Sequence, residues 1–335
     1  MIKFSVVVCA YNEEKYLEQC LESLYKQNYD KQNYEVIVID NESKDKTPDI
    51  CQSFYKKYKD NVKIKYFRIK HVGLSTSRNF GVENADGKIV VFVDGDAITD
   101  ANLLNEYEKT FNETNCDFSG GRINLLNTES EFAKLLQETR YKQIFSGFNV
   151  KNKLHGANMA FKKEIFDKFL FIENFYSRGD DTSFIQLISD TFVYSPSKNS
   201  IVFHERPTSF KEWFNILTTE LKLSFKVEKL ITAIKGKSKK YFFKSWLINT
   251  TLLLILLALP FVPIVSIVFI AIVIKYKRSY FHIYKKISHF IFSFIMMLLE
   301  IVLTPIYYLI SYSIYRNEQP LSHKTKVEIL LCKNN

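Results

Sequence analysis

The sequence is poor in the motifs by which cysteine stabilises small domains or binds metals. Its 335 residues include five cysteines, an odd number, and none of them forms a C-x-x-C pair. A disulfide framework or a cysteine zinc site would require paired, regularly spaced cysteines. Both are therefore excluded as the organising feature, and we expect reduced, cytosolic thiols in a chain whose fold depends on its apolar core.

Other common motifs are also missing. The sequence contains no G-x-x-x-x-G-K-[ST] motif, which argues against a P-loop enzyme. It contains no RNA-binding signature and no zinc-finger spacing, so we expect no nucleic-acid partner. Lys and Arg nevertheless exceed Asp and Glu by 46 to 36. This excess of positive charge favours phosphorylated ligands or an anionic membrane surface as partners.

Long uncharged runs are confined to the C-terminal part of the chain. Residues 245–274 contain no charged residue, and as one helix they would exceed the roughly 30 Å of a bilayer's hydrocarbon core. A second apolar region, 290–315, is interrupted by Glu300. Several lysines between Lys235 and Lys244 precede the first run, as is typical of a cytoplasmic membrane flank. We expect two membrane spans, and a hairpin followed by one span is the alternative.

The first hundred residues alternate between strand-like and helix-like segments. Apolar runs predict buried strands at residues 4–9, 34–39, 63–68 and 89–93. Strands that are joined through helices favour a mostly parallel sheet with right-handed crossovers. Acidic residues follow the first run at once, which favours a strand over a signal peptide. Asp40 and Asp94 each end a predicted strand, where ligands of such sheets bind.

Two carboxylates stand one residue apart at the end of the fourth predicted strand. Asp94 and Asp96 are separated only by Gly95, which leaves room for a ligand to approach. Adjacent like charges repel, and a divalent cation placed between them and a polyanion relieves the repulsion. Mg²⁺ and Mn²⁺ prefer such oxygen ligands and leave positions open for phosphates. The pair predicts a site for one of these two cations, and a solvated Asp-Gly turn is the alternative.

Five segments, in this order, resemble the motifs of the family 2 glycosyltransferases, which are inverting enzymes with the GT-A fold. They are SVVVCAYNEEKYLEQCLESL, VIVIDNESKDKT, GLSTSRNFGVENADGKIVVFVDGDA, HGANMAFKKEIF and GDDTSF. The resemblance covers about residues 3–207. It implies an α/β fold of the GT-A type, in which a Rossmann-like, mostly parallel sheet is flanked by helices. It also implies a nucleotide-diphosphate sugar as the donor.

The resemblance implies a set of donor-binding residues at the strand ends. The loop that contains Ala10, Tyr11 and Glu13 is similar to the family's segment around the base and ribose. Asp40 matches the acid that recognises the base, and because a carboxylate can accept the N3–H of uracil, a UDP-sugar is expected. Arg78 matches a position near the donor, and a helix-surface arginine is the alternative.

The resemblance also assigns the metal ligands. Asp96 is expected to bind the cation directly, and Asp94 to contact the ribose or a metal-bound water. His204 matches a histidine that can complete the metal site, and a structural histidine at a strand end is the alternative. A cation held there would stabilise the diphosphate as it leaves the sugar.

A second acid pair, Asp180 and Asp181, lies in the segment RGDDTSF, where family members more often have Glu-Asp. By resemblance Asp181 is the general base that takes the proton of the acceptor hydroxyl, and its neighbour could raise its pKa. A helix N-cap is the alternative role and is compatible with catalysis. The upstream segment HGANMAF resembles the acceptor-side loop, in which Gly156 would provide room and Asn158 hydrogen bonds.

Processive members of the family usually carry a Q-x-x-R-W motif after the base, and this chain has none. We therefore expect non-processive transfer of one or a few sugars to a membrane-associated or lipid-linked glycan, with membrane lipid as a further partner. The alternatives are transfer to polyprenyl phosphate and a non-catalytic nucleotide-binding membrane protein of the same fold. The intact acid pairs argue for an enzyme.

The predicted organisation has four parts, and the catalytic part is expected to face the cytoplasm. They are a GT-A catalytic domain at 1–207, amphipathic interface helices at 208–244, a transmembrane region at 245–315 and a polar tail at 316–335. The amphipathic part is expected to lie in the membrane interface because a span follows it, and packing on the catalytic domain is the alternative.

Overall fold

The structure is a computed structural model that describes residues 2–138, 154–173, 179–235, 247–251, 254, 287–315 and 329–334. The chain divides into two compact units. Met1–Asn127, Asn149–Glu205 and Leu321–Asn335 form the first unit, and Thr128–Phe148 and Arg206–Pro320 form the second. Every site residue predicted from the sequence lies in the first unit.

The first unit is built on a nine-stranded sheet. Its strands are β1 (Phe4–Ala10), β2 (Tyr34–Asp40), β3 (Lys63–Ile69), β4 (Ile89–Asp94), β5 (Ala97–Thr99), β6 (Phe118–Leu125), β7 (Met159–Lys162), β8 (Tyr194–His204) and β9 (Ile329–Asn334). Their order across the sheet is β5-β8-β6-β7-β4-β1-β2-β3-β9. The four strands predicted from apolar runs are β1 to β4, and the structure confirms them.

Helices cover the sheet of the first unit and form the second. The first unit contains α1 (Leu17–Tyr25), α2 (Thr47–Tyr58), α3 (Leu74–Glu83), α4 (Leu103–Thr114), a 3₁₀ helix (Lys163–Asp167) and α6 (Asp180–Ile188). The second contains α5 (Glu131–Leu136), α7 (Phe210–Lys235) and α8 (Ile287–Tyr315). In α1 the buried leucines recur at helical spacing, which places one apolar face on the sheet.

Strands β3, β2, β1 and β4 form a parallel half-sheet, as predicted. Helices between these strands provide the crossovers that parallel pairing requires, and β2 is buried along its whole length. In the register of the sheet Ala10 faces Asp40, and Cys9 faces Asp94. The carboxyl ends of three strands therefore meet at one edge, where both predicted strand-end acids lie.

The other half of the sheet is mixed, so the prediction of a mostly parallel sheet is wrong there. In this half the pairs β4–β7, β5–β8 and β6–β7 are antiparallel, and the pair β6–β8 is parallel. At the opposite edge of the sheet, β3–β9 is also antiparallel, so four of the eight strand pairings described are antiparallel and four are parallel. Strand β7 lies between β4 and β6, its partners from distant parts of the sequence. Hydrophobic periodicity reveals that a segment is a strand but not which neighbour it pairs with, and this explains the error.

The C-terminal residues contribute the edge strand β9. By its sequence, this segment belongs to the polar tail predicted at 316–335. In the structure it pairs antiparallel with β3, and Cys332 lies opposite Phe67. The register shifts between Arg68 and Ile69. Pairing with β9 supplies hydrogen-bond partners to β3, which would otherwise be an open edge.

The second unit has its own apolar cluster. Leu136, Trp213 and Leu217 are buried at its centre, and partly buried side chains from α7 and α8 pack around them. Two lysines of α7, Lys222 and Lys226, lie over tyrosine rings of α8 at 5.6 and 5.0 Å from the ring centres. The apolar stripe of the predicted amphipathic segment thus packs, over these residues, against other helices.

Among the residues that the structure describes, no helix is both long enough and apolar enough to cross a bilayer. The predicted first span at 245–274 lies outside the described residues, apart from 247–251 and 254. The second apolar region belongs to α8. Membrane spans therefore stay a prediction.

Candidate active site

The three predicted metal ligands lie together in the structure. One ligand atom from each of Asp94, Asp96 and His204 can be chosen so that all of them lie within 4.8 Å of one another. Asp94 ends β4, and the chain turns directly into β5, whose first residue Ala97 pairs with His204 at the end of β8. Pairing of a three-residue strand with β8 therefore brings the histidine to an acid pair that precedes it by more than a hundred residues.

The hydrogen bonds of His204 favour a metal-binding orientation. Its Nδ1 lies 2.6 Å from the carbonyl oxygen of Glu205, and its Nε2 lies 3.3 Å from Oδ1 of Asp96. A carbonyl oxygen only accepts, so Nδ1 carries the hydrogen and the neutral ring has its lone pair on Nε2. A held Nδ1–H is the usual support of a ligating histidine. Two carboxylates and this nitrogen fit a divalent cation such as Mn²⁺ or Mg²⁺.

One arginine joins the two acid pairs. Nη2 of Arg78 donates to Oδ1 of Asp94 at 2.9 Å, and Nη1 donates to Oδ2 of Asp180. The guanidinium lies 5.7 Å from the ring centres of both Phe92 and Phe171 and is almost completely buried. The prediction placed Arg78 near the donor, and the structure gives it carboxylates as its partners.

Two glycines allow Arg78 to reach this position. A Cβ at Gly81 would lie 2.4 Å from Cγ1 of Val7, so its absence lets α3 pack closely on β1. A Cβ at Gly156 would lie 2.5 Å from Nη2 of Arg78. The absent side chain of Gly156 therefore makes room for the guanidinium of Arg78, and room for the acceptor at Gly156 stays a prediction.

The two acids at the start of α6 have different surroundings. Asp180 is buried and pairs with Arg78. Asp181 is partly exposed, and its Oδ2 accepts the Gly156 N–H at 3.1 Å. Burial, together with the negative charge of Asp180, raises the pKa of Asp181 to about 6. Of the pair, Asp181 is thus the acid suited to accept a proton near neutral pH.

The loop after β1 presents an exposed aromatic ring. Tyr11 is 46% exposed, and its ring centre lies 4.5 Å from that of His71. Nδ1 of His71 lies 3.2 Å from the carbonyl oxygen of Asn41, which holds the imidazole ring in place. A supported, half-exposed aromatic surface of this kind suits stacking with a planar base.

Glu13 lies close to the metal-ligand cluster. Burial, followed by the charges of Asp96 and Asp94, raises the pKa of Glu13 to about 8. A Cβ at Gly95 would lie 3.3 Å from Cγ of Glu13 and 3.5 Å from Cβ of Ala10. The room at Gly95 therefore admits side chains of the β1 loop, and ligand access there stays a prediction.

Asp40 lies at the predicted strand end but has protein partners at both oxygens. Its Oδ1 accepts the Ser43 N–H at 2.9 Å, and its Oδ2 lies 3.2 Å from Nε of Arg68. The side chain is completely buried. These contacts organise the loop that follows β2, and recognition of the base by Asp40 stays a prediction.

The side chain of Asn158 has protein partners on three elements. Its Nδ2 donates to the carbonyl oxygens of Arg122 and Ser200 at 2.9 and 3.0 Å, and its Oδ1 accepts from the hydroxyl of Tyr107 at 2.6 Å. Both amide hydrogens are thus engaged. Asn158 therefore ties β6, β8 and α4 together, and hydrogen bonding to an acceptor stays a prediction.

The structure adds two residues that sequence reasoning missed. The ring of His155 lies 5.2 Å from that of His204, in an edge-to-face arrangement. The carboxylate of Glu205 accepts hydrogen bonds from Lys15 and Tyr16, both at 2.9 Å, and so ties the β1 loop to the residue after His204. The signals were the histidine that opens HGANMAF and the acid that follows the metal-site histidine.

A candidate cation site thus lies at the carboxyl end of a parallel half-sheet and is joined through Arg78 to the acid pair that contains Asp181, whose pKa is raised. The sequence comparison gives the family. The model described as Glycosyl transferase family 2 matches residues 5–170. Residues 5–170 of this chain are therefore similar to a glycosyltransferase family 2 domain.

Two curated relatives show the extent of the sequence similarity. The chain is 31% identical over 156 residues to Glycosyltransferase AglE of Haloferax volcanii, which is 47% of this chain and 49% of the relative. It is 27% identical over 226 residues to a dolichyl N-acetyl-alpha-D-glucosaminyl phosphate 3-beta-D-2,3-diacetamido-2,3-dideoxy-beta-D-glucuronosyltransferase of Methanococcus voltae, 62% of this chain and 68% of that one. The chain spans only about half the length of the first relative.

Solved structures share the fold at low sequence identity. A mannosyltransferase of Pyrobaculum calidifontis in complex with GDP-Man and Mn²⁺ gives a TM-score of 0.60 at 18% identity, covering 92% of this chain and 87% of that one. S. aureus TarS 1–349 in complex with UDP-GlcNAc gives 0.55 at 18% identity, with coverages of 95% and 93%. At this identity the similarity establishes a GT-A-like α/β fold.

Proposed function

We propose that this chain is an inverting, metal-dependent glycosyltransferase that moves a sugar from a nucleotide-diphosphate donor to an acceptor hydroxyl. One observation carries the proposal: the cluster of Asp94, Asp96 and His204 is connected through Arg78 to the acid pair that contains Asp181. A donor phosphate site and a proton acceptor are thus held in one rigid arrangement, as a direct displacement requires.

The side chains divide the chemistry between them. Asp181 takes the proton of the acceptor hydroxyl while that oxygen forms a bond to the anomeric carbon, and the bond from this carbon to the diphosphate oxygen breaks with its electron pair. Arg78 holds Asp180 and leaves Asp181 as the base. A bound Mg²⁺ or Mn²⁺ supplies charge stabilisation to the departing diphosphate. Burial raises the pKa of Cys9 to about 12, so this neighbouring thiol stays protonated and is no nucleophile.

The donor in this proposal is a UDP-sugar. The exposed ring of Tyr11 offers a stacking surface for the base. A structurally similar protein, TarS, was solved with UDP-GlcNAc, and a second one was solved with GDP-Man. A uridine nucleotide is proposed because Asp40, which ends β2 at the same sheet edge, matches the family's base-recognising acid, and a carboxylate can accept the N3–H of uracil.

The acceptor in this proposal is a lipid-linked or membrane-associated glycan, and transfer is non-processive. The relative in Methanococcus voltae is named for a dolichyl-linked sugar phosphate. The uncharged run at 245–274 would hold the chain at the membrane, with the catalytic unit on the cytoplasmic side where nucleotide sugars are made. Attachment to the membrane raises the local concentration of a lipid-linked acceptor.

The test combines nucleotide binding with product release. Thermal unfolding of the full chain is followed with UDP, GDP or CMP, each with Mn²⁺ or with EDTA, and nucleoside diphosphate release from UDP-GlcNAc and GDP-mannose is measured in parallel. We expect UDP to raise Tm only when Mn²⁺ is present, because a ligand stabilises the folded state to which it binds. A higher Tm with GDP would change the donor, and release of pyrophosphate instead of nucleoside diphosphate would sink the proposal.

A further inference from the structure

We propose that Arg78 is a positioning residue that sets the donor-side acid Asp94 and the acceptor-side base Asp181 in one fixed geometry. Its guanidinium bonds to Asp94 with one nitrogen and to Asp180 with another. It is only 2% exposed, too enclosed to contact a substrate directly. Arg78 therefore acts through the carboxylates that it holds. This inference rests on the proposed function.

The planar fork of an arginine suits this bridge. Two of its nitrogens point to different carboxylates, and a lysine would present one point charge instead of a fork. Asp94 and Asp180 are like charges in a poorly solvated region. Removal of the guanidinium would leave Asp180 buried without a compensating charge, which is strongly unfavourable, and would take from Asp94 one of its partners.

Aromatic rings and a glycine turn fix the guanidinium from other directions. Phe92 and Phe171 flank it at 5.7 Å each. Gly156 lies against Nη2, and its own N–H donates to Asp181 at 3.1 Å. Gly156 therefore both contacts Arg78 and orients the proposed base, Asp181. A displaced guanidinium would move Asp181 through this turn as well as through Asp180.

The next residue of α3 supports the same arrangement. Nδ2 of Asn79 donates to the carbonyl oxygen of Phe171, and its Oδ1 accepts the Phe171 N–H, both at 2.9 Å. This pair of bonds holds in place the backbone of the residue whose ring lies beside Arg78. Two consecutive residues of α3 thus hold the surroundings of the guanidinium: Arg78 bonds to Asp180, and Asn79 bonds to the backbone of Phe171.

The test is a double-mutant cycle that separates positioning from charge neutralisation. The variants are Arg78→Gln, Asp180→Asn and the two combined, with Arg122→Gln, an exposed arginine on β6, as the matched control. Donor hydrolysis is measured with UDP-GlcNAc and GDP-mannose, as kcat, as KM and as the Mn²⁺ concentration for half-maximal rate. The combined variant has no unpaired charge at position 180, so it keeps the test informative if Arg78→Gln alone does not fold.

We expect the combined variant to have a kcat about 100-fold below that of Asp180→Asn, the loss typical of a misplaced reacting group. Its Mn²⁺ requirement should rise, because Asp94 has lost its partner too. Arg78→Lys should recover part of the kcat. A combined variant whose kcat and Mn²⁺ requirement match those of Asp180→Asn would overturn the inference, because Arg78 would then only neutralise Asp180. A wild-type chain that releases no nucleoside diphosphate would instead overturn the proposed function beneath it.

Discussion

Asp94 is the last residue of strand β4 and Asp96 follows it closely, whereas Asp180 and Asp181 are the first two residues of helix α6. The first pair lies beside the imidazole of His204, the second accepts a backbone N–H, and Arg78 bonds to one acid of each pair. Both are pairs of aspartates, and in a sequence they differ only by an inserted glycine. The comparison teaches that the partners of a carboxylate, and not its identity, decide whether it is suited to hold a metal ion or to take a proton.

The difference continues within the second pair. Asp180 is buried against Arg78, and Asp181 is more exposed and has a raised pKa. The shorter Asp at position 180, where family members more often have Glu, is in contact with the guanidinium here. The assignment of Asp181 as the base thus follows from which acid the arginine engages. Four predictions test this comparison, from the largest expected effect to the smallest.

Asp181→Asn should lower kcat by about 10²- to 10⁴-fold, the usual contribution of a general base. Binding of UDP with Mn²⁺, measured by thermal shift, should persist because the variant leaves the first acid pair intact. The exposed Asp60→Asn is the matched control and should behave as the wild type. If Asp181→Asn lost nucleotide binding together with activity, the two acid pairs would not have the separate roles proposed for them.

Asp96→Asn should instead raise the Mn²⁺ concentration for half-maximal rate, by at least about 10-fold, since the loss of even an outer-shell partner has that effect. The acidic limb of the pH–rate profile, which we assign to Asp181, should be unchanged in Asp96→Asn at saturating Mn²⁺. The measurement is the rate of donor hydrolysis as a function of Mn²⁺ concentration, for the wild type and for Asp96→Asn. An unaltered Mn²⁺ requirement would remove Asp96 from the metal site.

Gly156→Ala should lower kcat by about 10-fold and destabilise the protein by about 1–3 kcal/mol, because the new methyl group would overlap Nη2 of Arg78. Both effects are measured on purified protein, as donor hydrolysis and as denaturant unfolding. A variant with larger KM and normal kcat would indicate that the glycine makes room for a substrate after all.

The pH profile gives the smallest effect. Asp181 must be ionised to act as a base, so kcat/KM should fall about tenfold per pH unit below its pKa of about 6. Asp180 is one of the charges that raise this pKa, and Asp180→Asn should therefore move the acidic limb to lower pH. The activity at pH 5 relative to pH 7 should rise about two- to threefold. A limb that moves to higher pH contradicts the assignment.

Much of the parallel half-sheet and the two acids of the candidate metal site were predictable from local patterns. The apolar runs of β1 to β4 and the acids at their ends stand in the sequence as short, contiguous signals. The family resemblance then supplied His204, which the structure places beside Asp96. Contacts with distant segments were not predictable in this way: Asn158 binds groups of β6, β8 and α4, and Gly156 accommodates Arg78.

Short-range sequence features were sufficient to indicate that one acid pair follows a buried strand and that a second lies in the first turn of a helix, because apolar runs and acids at a helix start are signals within a few neighbouring positions. The antiparallel half of the sheet, and the burial of Arg78 between carboxylates sixteen and about a hundred positions away, depended on the folded chain. Pairing and charge compensation are set by which segments meet in space, and a hydrophobic pattern along one segment carries no information about its partner.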